Sequence, residues 1–157
     1  LDGSIFTVRD LAYELRPPGL EEMGLVQALS MFCGEFSEKT FIRTDFHSVG
    51  IEKMKLDFNT RINLYRMVQE GLNNINKHAQ ATRAVVKLTA AYPHIILRIE
   101  DNGKGFDVEK RAREIDSVKR MGLRSLQERT ELLGGIMIVA SKAGQGTKIL
   151  IKLPYVG

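Results

Sequence analysis

At 157 residues, with 43% hydrophobic and 27% charged residues, the chain has the size and balance of one globular domain, which excludes a disordered or fibrous one. Its longest apolar runs, such as Ile136 to Ala140, are only a few residues, which excludes a bilayer-spanning helix or a secretory signal. A net charge of +4 with basic residues scattered among acids excludes a concentrated nucleic-acid stripe, and the single Cys33 excludes an internal disulfide and fits a cytoplasmic setting.

Ile5, Val8, Leu11, Ala12 and Leu15 recur at helical spacing until Pro17-Pro18 stop the pattern. A chain that starts at Leu1 inside such a helix is expected to be a piece of a longer protein, with any membrane anchor outside it. Leu25, Ala28, Leu29, Phe32, Cys33 and Phe36 predict a second helix, whose apolar face takes up Cys33 as an inert thiol. Phe41 to Phe46 reads as a short strand. A polar stretch through Asn59 then leads to a third helix, roughly Arg61 to Gln80.

After that helix the period drops to two. Val86, Leu88 and Ala90, then Ile95, Leu97 and Ile99, mark two strands joined at Tyr92-Pro93-His94. A charged, Gly-rich stretch from Asn102 to Met121 follows, then a helix from about Gly122 to Leu133 closed by Gly134-Gly135. A last hairpin places Ile149, Ile151 and Leu153 on one face and Lys148 and Lys152 on the other. Strands come in hairpins instead of alternating with helices, so the sheet is expected to be mixed or antiparallel, with helices on one face. That order speaks against a Rossmann fold, and the absence of GxxxxGK[ST] speaks against a P-loop.

Four segments carry chemistry. Glu70, Asn73, Asn74, Lys77 and His78 form a polar stripe beside the core stripe of the third helix. A solvated face explains such a stripe too, but adjacent Asn residues disfavour a helix interior, and a carboxylate and an amide at i, i+4 suit a metal ion or a water. Asp101-Asn102-Gly103-Lys104-Gly105-Phe106 follows a strand, either as a plain turn or as a carboxylate facing a ligand's amino group with glycines that admit it. Met121-Gly122-Leu123 opens a helix, an ordinary start or a phosphate seat. Gly144-Gln145-Gly146-Thr147 is by itself a hairpin turn.

In order and placement these segments together resemble the GHKL, or Bergerat-fold, ATPase superfamily. QEGLNNINKHAQA around Glu70 to His78 is similar to the N box, DNGKGF to the first glycine box, MGLRSLQERTELLGG to the second and GQGT to the last. KHA, ERTELLGG and the upstream LRPPGLEEMGLVQAL look like sensor histidine kinases of the NarX, DesK and LiaS kind. The resemblance covers nearly the whole chain. It implies an α+β fold, a two-layer α/β sandwich whose mixed, mostly antiparallel sheet carries helices on one face. Residues 1–18 would be the end of the dimerisation and phosphoacceptor helix region, 19–157 the ATP-binding catalytic domain, and about 103–121 its lid.

The resemblance also assigns roles. Asn74 coordinates Mg2+ bridging the phosphates of ATP, and Glu70 orients water or acts as a base. Lys77 and His78 contact phosphate. Asp101 accepts from the adenine amino group with support from Thr147, while Gly103, Gly105, Gly122 with Leu123, and Gly146 line the nucleotide. The implied partners are ATP, the dimerisation and phosphoacceptor domain of the same kinase, and indirectly a response regulator, with no nucleic acid and no membrane contact.

Two departures from the family pattern stand out. Arg120 occupies a position where many relatives have glycine, and none of His47, His78 and His94 has the acidic and basic context of a phosphoacceptor. The chain is therefore expected to bind ATP without phosphorylating itself on histidine. Another GHKL branch, a serine kinase, or a degenerate domain that only binds partners remain alternatives at the level of sequence.

Overall fold

A computed structural model describes residue 17, residues 19–106 and residues 122–155. The helix expected at Ile5 to Leu15, Arg120 and the lid beyond Phe106 lie outside the described residues. A short turn of helix, α1 (Leu20–Met23), leads into α2 (Leu25–Thr40). Leu25, Ala28, Leu29, Cys33 and Phe36 are buried along one side of α2, as their spacing requires. The helix ends because Phe41 adopts a left-handed conformation, φ 62°, with its N–H on the Ser37 carbonyl at 3.0 Å. Phe41 therefore caps a helix and is 89% exposed. For that reason β1 (Arg43–Val49) starts two residues later than its apolar sequence suggests.

A short 3-10 turn at Ile51–Lys53 precedes α3 (Phe58–Asn74). Its N-cap is Asp57, whose carboxylate accepts from the Thr60 N–H at 2.8 Å, so α3 begins three residues before Arg61. Beyond it lie β2 (Arg83–Ala91), β3 (His94–Asp101), α4 (Leu123–Leu132), β4 (Ile136–Ser141) and β5 (Thr147–Pro154). Gly134, at φ 73°, donates to the Glu131 carbonyl at 2.9 Å and turns the chain out of α4.

The five strands form one sheet in the order β1-β2-β3-β5-β4. The β1–β2 pair is parallel, with α3 in the crossover, and the other three pairs are antiparallel. Across the middle strands the register aligns Val86 with Ile99, Ile99 with Ile149, Leu88 with Leu97, and Leu97 with Ile151. All of these are buried, so one face of the sheet is a continuous apolar layer. Leu29, Cys33, Leu64, Met67, Val68 and Leu72 from α2 and α3 belong to the same core. Gly71 lets α3 come close to β3, since a Cβ there would lie 2.5 Å from the Ile99 Cδ1. Burial of each such side chain contributes about 1.5–3 kcal/mol. This is the α+β architecture with a mixed sheet that the pattern predicted. Among the described residues no helix is long and apolar enough to cross a membrane.

Candidate active site

Regular winding stops partway along the polar stripe, which runs on past the end of α3 to Lys77 and His78. A single π turn, Ile75–Ala79, follows Asn74 and is closed by Gln80 at φ 53°. A π turn is rare and is found frequently at functional positions. Here Asn74, Ile75, His78 and Ala79 line a cavity of about 140 Å³. Ile99 and Asp101 of β3, Lys104, Gly105 and Phe106 just beyond it, Leu123 at the start of α4, and Thr147 and Ile149 of β5 complete the wall.

Hydrogen bonds fix the DNGKGF turn to both neighbours. The Lys104 N–H donates to the Ala79 carbonyl at 2.7 Å, and the Gly144 N–H to the Lys104 carbonyl at 2.5 Å. The Phe106 N–H donates to Ser141 Oγ at 2.9 Å, while that hydroxyl donates to the Gly146 carbonyl at 2.9 Å and lies 2.9 Å from Thr147 Oγ1. Asn102 has a structural task. Its Oδ1 accepts from the Thr82 and Arg83 N–H groups, each at 2.9 Å, and holds the start of β2. Gly103 is packed so closely on the Ala79 carbonyl that a Cβ there would overlap it, and Gly146 stands in the same relation to the Asp101 carbonyl.

Asp101 is half-buried at the end of β3. Its carboxylate accepts from the Gly103 N–H at 2.7 Å and from the Thr147 N–H. Burial pushes its pKa above the ordinary 3.8, and the two backbone bonds offset only part of that rise.

Asn74 Oδ1 and Glu70 Oε2 are buried and have no hydrogen-bond partner among the described residues. Buried polar atoms are nearly always satisfied, so two unpartnered oxygens one helical turn apart call for a cation or a water. Hard oxygen donors suit Mg2+, which takes few protein ligands and completes its shell with phosphates and water. No cluster of three or more His, Cys, Asp or Glu side chains fit to hold a metal occurs among the described residues. Gly122 lies directly against Asn74, where a Cβ would stand 2.6 Å from Oδ1.

Of the residues singled out from sequence, Asn74, His78, Asp101, Gly105, Leu123 and Thr147 line the cavity. Gly103, Gly122 and Gly146 press on the residues that do. Glu70 sits one turn back along α3, joined to α4 through Arg129. Lys77 is exposed and does not line the cavity, and Asn73 lines a separate groove with Phe32, Glu35 and Tyr65. Sequence reasoning missed the apolar walls Ile75, Ile99, Phe106 and Ile149, the organising hydroxyl of Ser141, and Lys104 as the lining cation. An apolar slot that ends in a half-buried carboxylate suits a flat heterocycle bearing an amino group. The Glu70–Asn74 oxygens suit a hydrated cation with phosphates.

The family described as "Histidine kinase-, DNA gyrase B-, and HSP90-like ATPase" matches residues 59–157. The sensor histidine kinase MctS of Rhizobium johnstonii is 35% identical over 155 residues, 98% of this chain and 32% of that protein. The sensor histidine kinase ComP of Bacillus subtilis is 37% identical over 152 residues, 95% of this chain and 19% of that protein. The chain thus spans a third or less of the length of these two relatives. The histidine kinase domain from the blue-light activated histidine kinase of Erythrobacter litoralis superposes with a TM-score of 0.64 at 21% identity, covering 97% of this chain and 76% of that chain. At that identity the likeness concerns the fold.

Proposed function

Because the chain belongs to the family of histidine kinase-, DNA gyrase B- and HSP90-like ATPases, we propose that it is the part of a sensor histidine kinase that binds Mg-ATP and transfers the γ-phosphate. The receiving group is a histidine on the dimerisation domain of the same kinase, for relay to a response regulator. One observation carries this reading. One cavity holds Asp101, fixed by two backbone N–H groups, and Asn74, whose buried Oδ1 has no partner among the described residues.

Asp101 accepts a hydrogen bond from the adenine amino group, and Ile75, Ile99, Phe106 and Ile149 flank the ring. Thr147 holds the carboxylate in place from β5. Asn74 binds Mg2+, which neutralises phosphate charge. Lys104 and His78 reach the phosphate end, and Glu70 orients the attacking group or accepts its proton. Phosphoryl transfer asks little covalent chemistry of the protein, so position and electrostatics carry the rate. Leu20, 1% exposed, already belongs to the core, which supports placing the start of the catalytic domain near residue 19 and assigning residues 1–18 to the dimerisation region.

A hydrogen bond to a charged acceptor is worth about 1.5–3 kcal/mol, so Asp101→Asn is expected to weaken Mg-ATP binding by about 10- to 150-fold by calorimetric titration. No binding by the parent chain at millimolar Mg-ATP sinks the reading. In a second assay the chain receives γ-labelled ATP and a fragment carrying the acceptor helices. Label is expected on that fragment's histidine, and label on serine or threonine of this chain would move it to the serine-kinase branch.

A further inference from the structure

The Glu70 carboxylate is divided between two environments. Its Oε1 accepts from Arg129 Nε at 2.9 Å and from Ser125 Oγ at 3.0 Å, both on α4. Its Oε2 is buried and has no hydrogen-bond partner among the described residues. Arg129 is itself held, since Nη1 donates to Asn63 Oδ1 at 3.1 Å, and Asn63 Nδ2 donates to the Asn59 carbonyl at 2.8 Å. The guanidinium is thus fixed at two points on α3 from a helix 59 residues away in sequence.

Stability alone does not account for this arrangement. The Arg129 and Glu70 side chains are 33% and 25% exposed, and ion pairs that solvent reaches contribute about 0–1 kcal/mol. Leaving Oε2 buried and unpaired costs more than that unless another group uses it. The rigid fork of a guanidinium fixes the plane of a carboxylate as well as its charge. Glu70 and Asn74 are neighbours at i, i+4, so the carboxylate and the amide that borders the cavity stand on one face of α3.

We propose that Arg129 is a positioning residue for phosphoryl transfer, holding Oε1 of Glu70 so that Oε2 is free for the reacting group at the Asn74 end of the site. The proposal rests on the Mg-ATP reading given above. It adds a role for a residue of α4 that does not line the cavity.

The test compares the parent chain with Arg129→Met, Arg129→Lys, Glu70→Gln and the Arg129→Met/Glu70→Gln double variant. Three quantities are read: Kd for Mg-ATP, the rate of transfer to the acceptor fragment at saturating Mg-ATP, and the melting temperature. Arg129→Met is expected to leave Kd unchanged and to slow transfer by about 10- to 100-fold, the usual effect of a misplaced group. Arg129→Lys restores part of the rate. In the Glu70→Gln background the same Arg129→Met change costs little further rate, because the two residues act as a unit. If Arg129→Met binds Mg-ATP and transfers at the parental rate, or if the two losses simply add, the proposal is overturned and the pair is only a strut between helices. A parent chain that binds no Mg-ATP overturns the nucleotide reading and this proposal together, which separates the two failures.

Discussion

On the reading proposed above, Asp101 puts a pH dependence into nucleotide binding. Its acid form is favoured in the fold because burial disfavours the charge, so its pKa lies above 3.8. The protonated form is a weaker acceptor for an amino group, since it has lost its charge and one oxygen now carries a proton. Affinity for Mg-ATP is therefore expected to fall as pH is lowered toward that raised pKa, earlier than an ordinary aspartate requires. The desolvation cost borne by the fold at neutral pH is relieved over the same interval, so this group alone makes the protein no less stable there. Calorimetry across acidic pH with Asp101→Asn as control checks the binding prediction: if the acid-side loss persists in the variant, Asp101 is not its source. Gly103 makes a second prediction at this scale. Gly103→Ala forces the turn off the Ala79 carbonyl, whereas Gly144→Ala meets nothing within 4 Å and strains only a backbone at φ 80°. The first is expected to lose most nucleotide affinity, and the second to cost stability alone, as titration beside thermal melting will show. Asp101, Asn74 and the glycines were legible in sequence because each sits in a short local motif. Arg129 and Ser141 were not, since their significance comes from partners such as Glu70 and Phe106 that only the tertiary fold brings near.

Elements were read well where periodicity rules and less well where end chemistry does. The buried stripe of α2 and the alternation of β2, β3 and β5 are direct images of the apolar pattern. Periodicity puts the start of α3 three residues late because Asp57 and Thr60 mark it by capping, whereas Phe58 and Asn59 are exposed and give no periodic signal. It puts the end late too, since the π turn keeps a helix-like sequence while changing its hydrogen bonds. Hydrogen bonds from Thr60 hold the Asp57 carboxyl below 3.8, so the cap's contribution is present above that value and fades as pH falls through the lowered pKa. Asp57→Ala is expected to cost about 0.5–1 kcal/mol, toward the lower end for caps because solvent screens this one, with a correspondingly small drop in denaturation midpoint.

At the scale of the whole molecule the parallel β1–β2 pair is the feature that hairpin logic alone does not reach. Strand-to-strand adjacency in sequence predicts the β2–β3 and β4–β5 pairs, but β1 and β2 meet only because α3 lies between them in the chain. The core that results buries Cys33 and raises its thiol to about 12. Almost no thiolate exists at neutral pH, so alkylation is expected to proceed only through unfolding, and its rate under mild denaturant reports global opening. Rapid labelling of the native protein would contradict that burial.

Ile99 and Ile149 belong to two structures at once, because they are 1% and 3% exposed members of the core and also walls of the cavity proposed for the nucleotide. A ligand seated against them completes an apolar layer that the unfolded chain cannot offer. Binding and unfolding are thus linked by mass action, and nucleotide at about a hundred times its Kd adds roughly 2.7 kcal/mol to the free energy of unfolding. On the reading proposed above, the nucleotide serves in effect as a removable piece of the protein's interior, and ATP concentration is expected to set the thermal tolerance of the domain as well as its supply of phosphate.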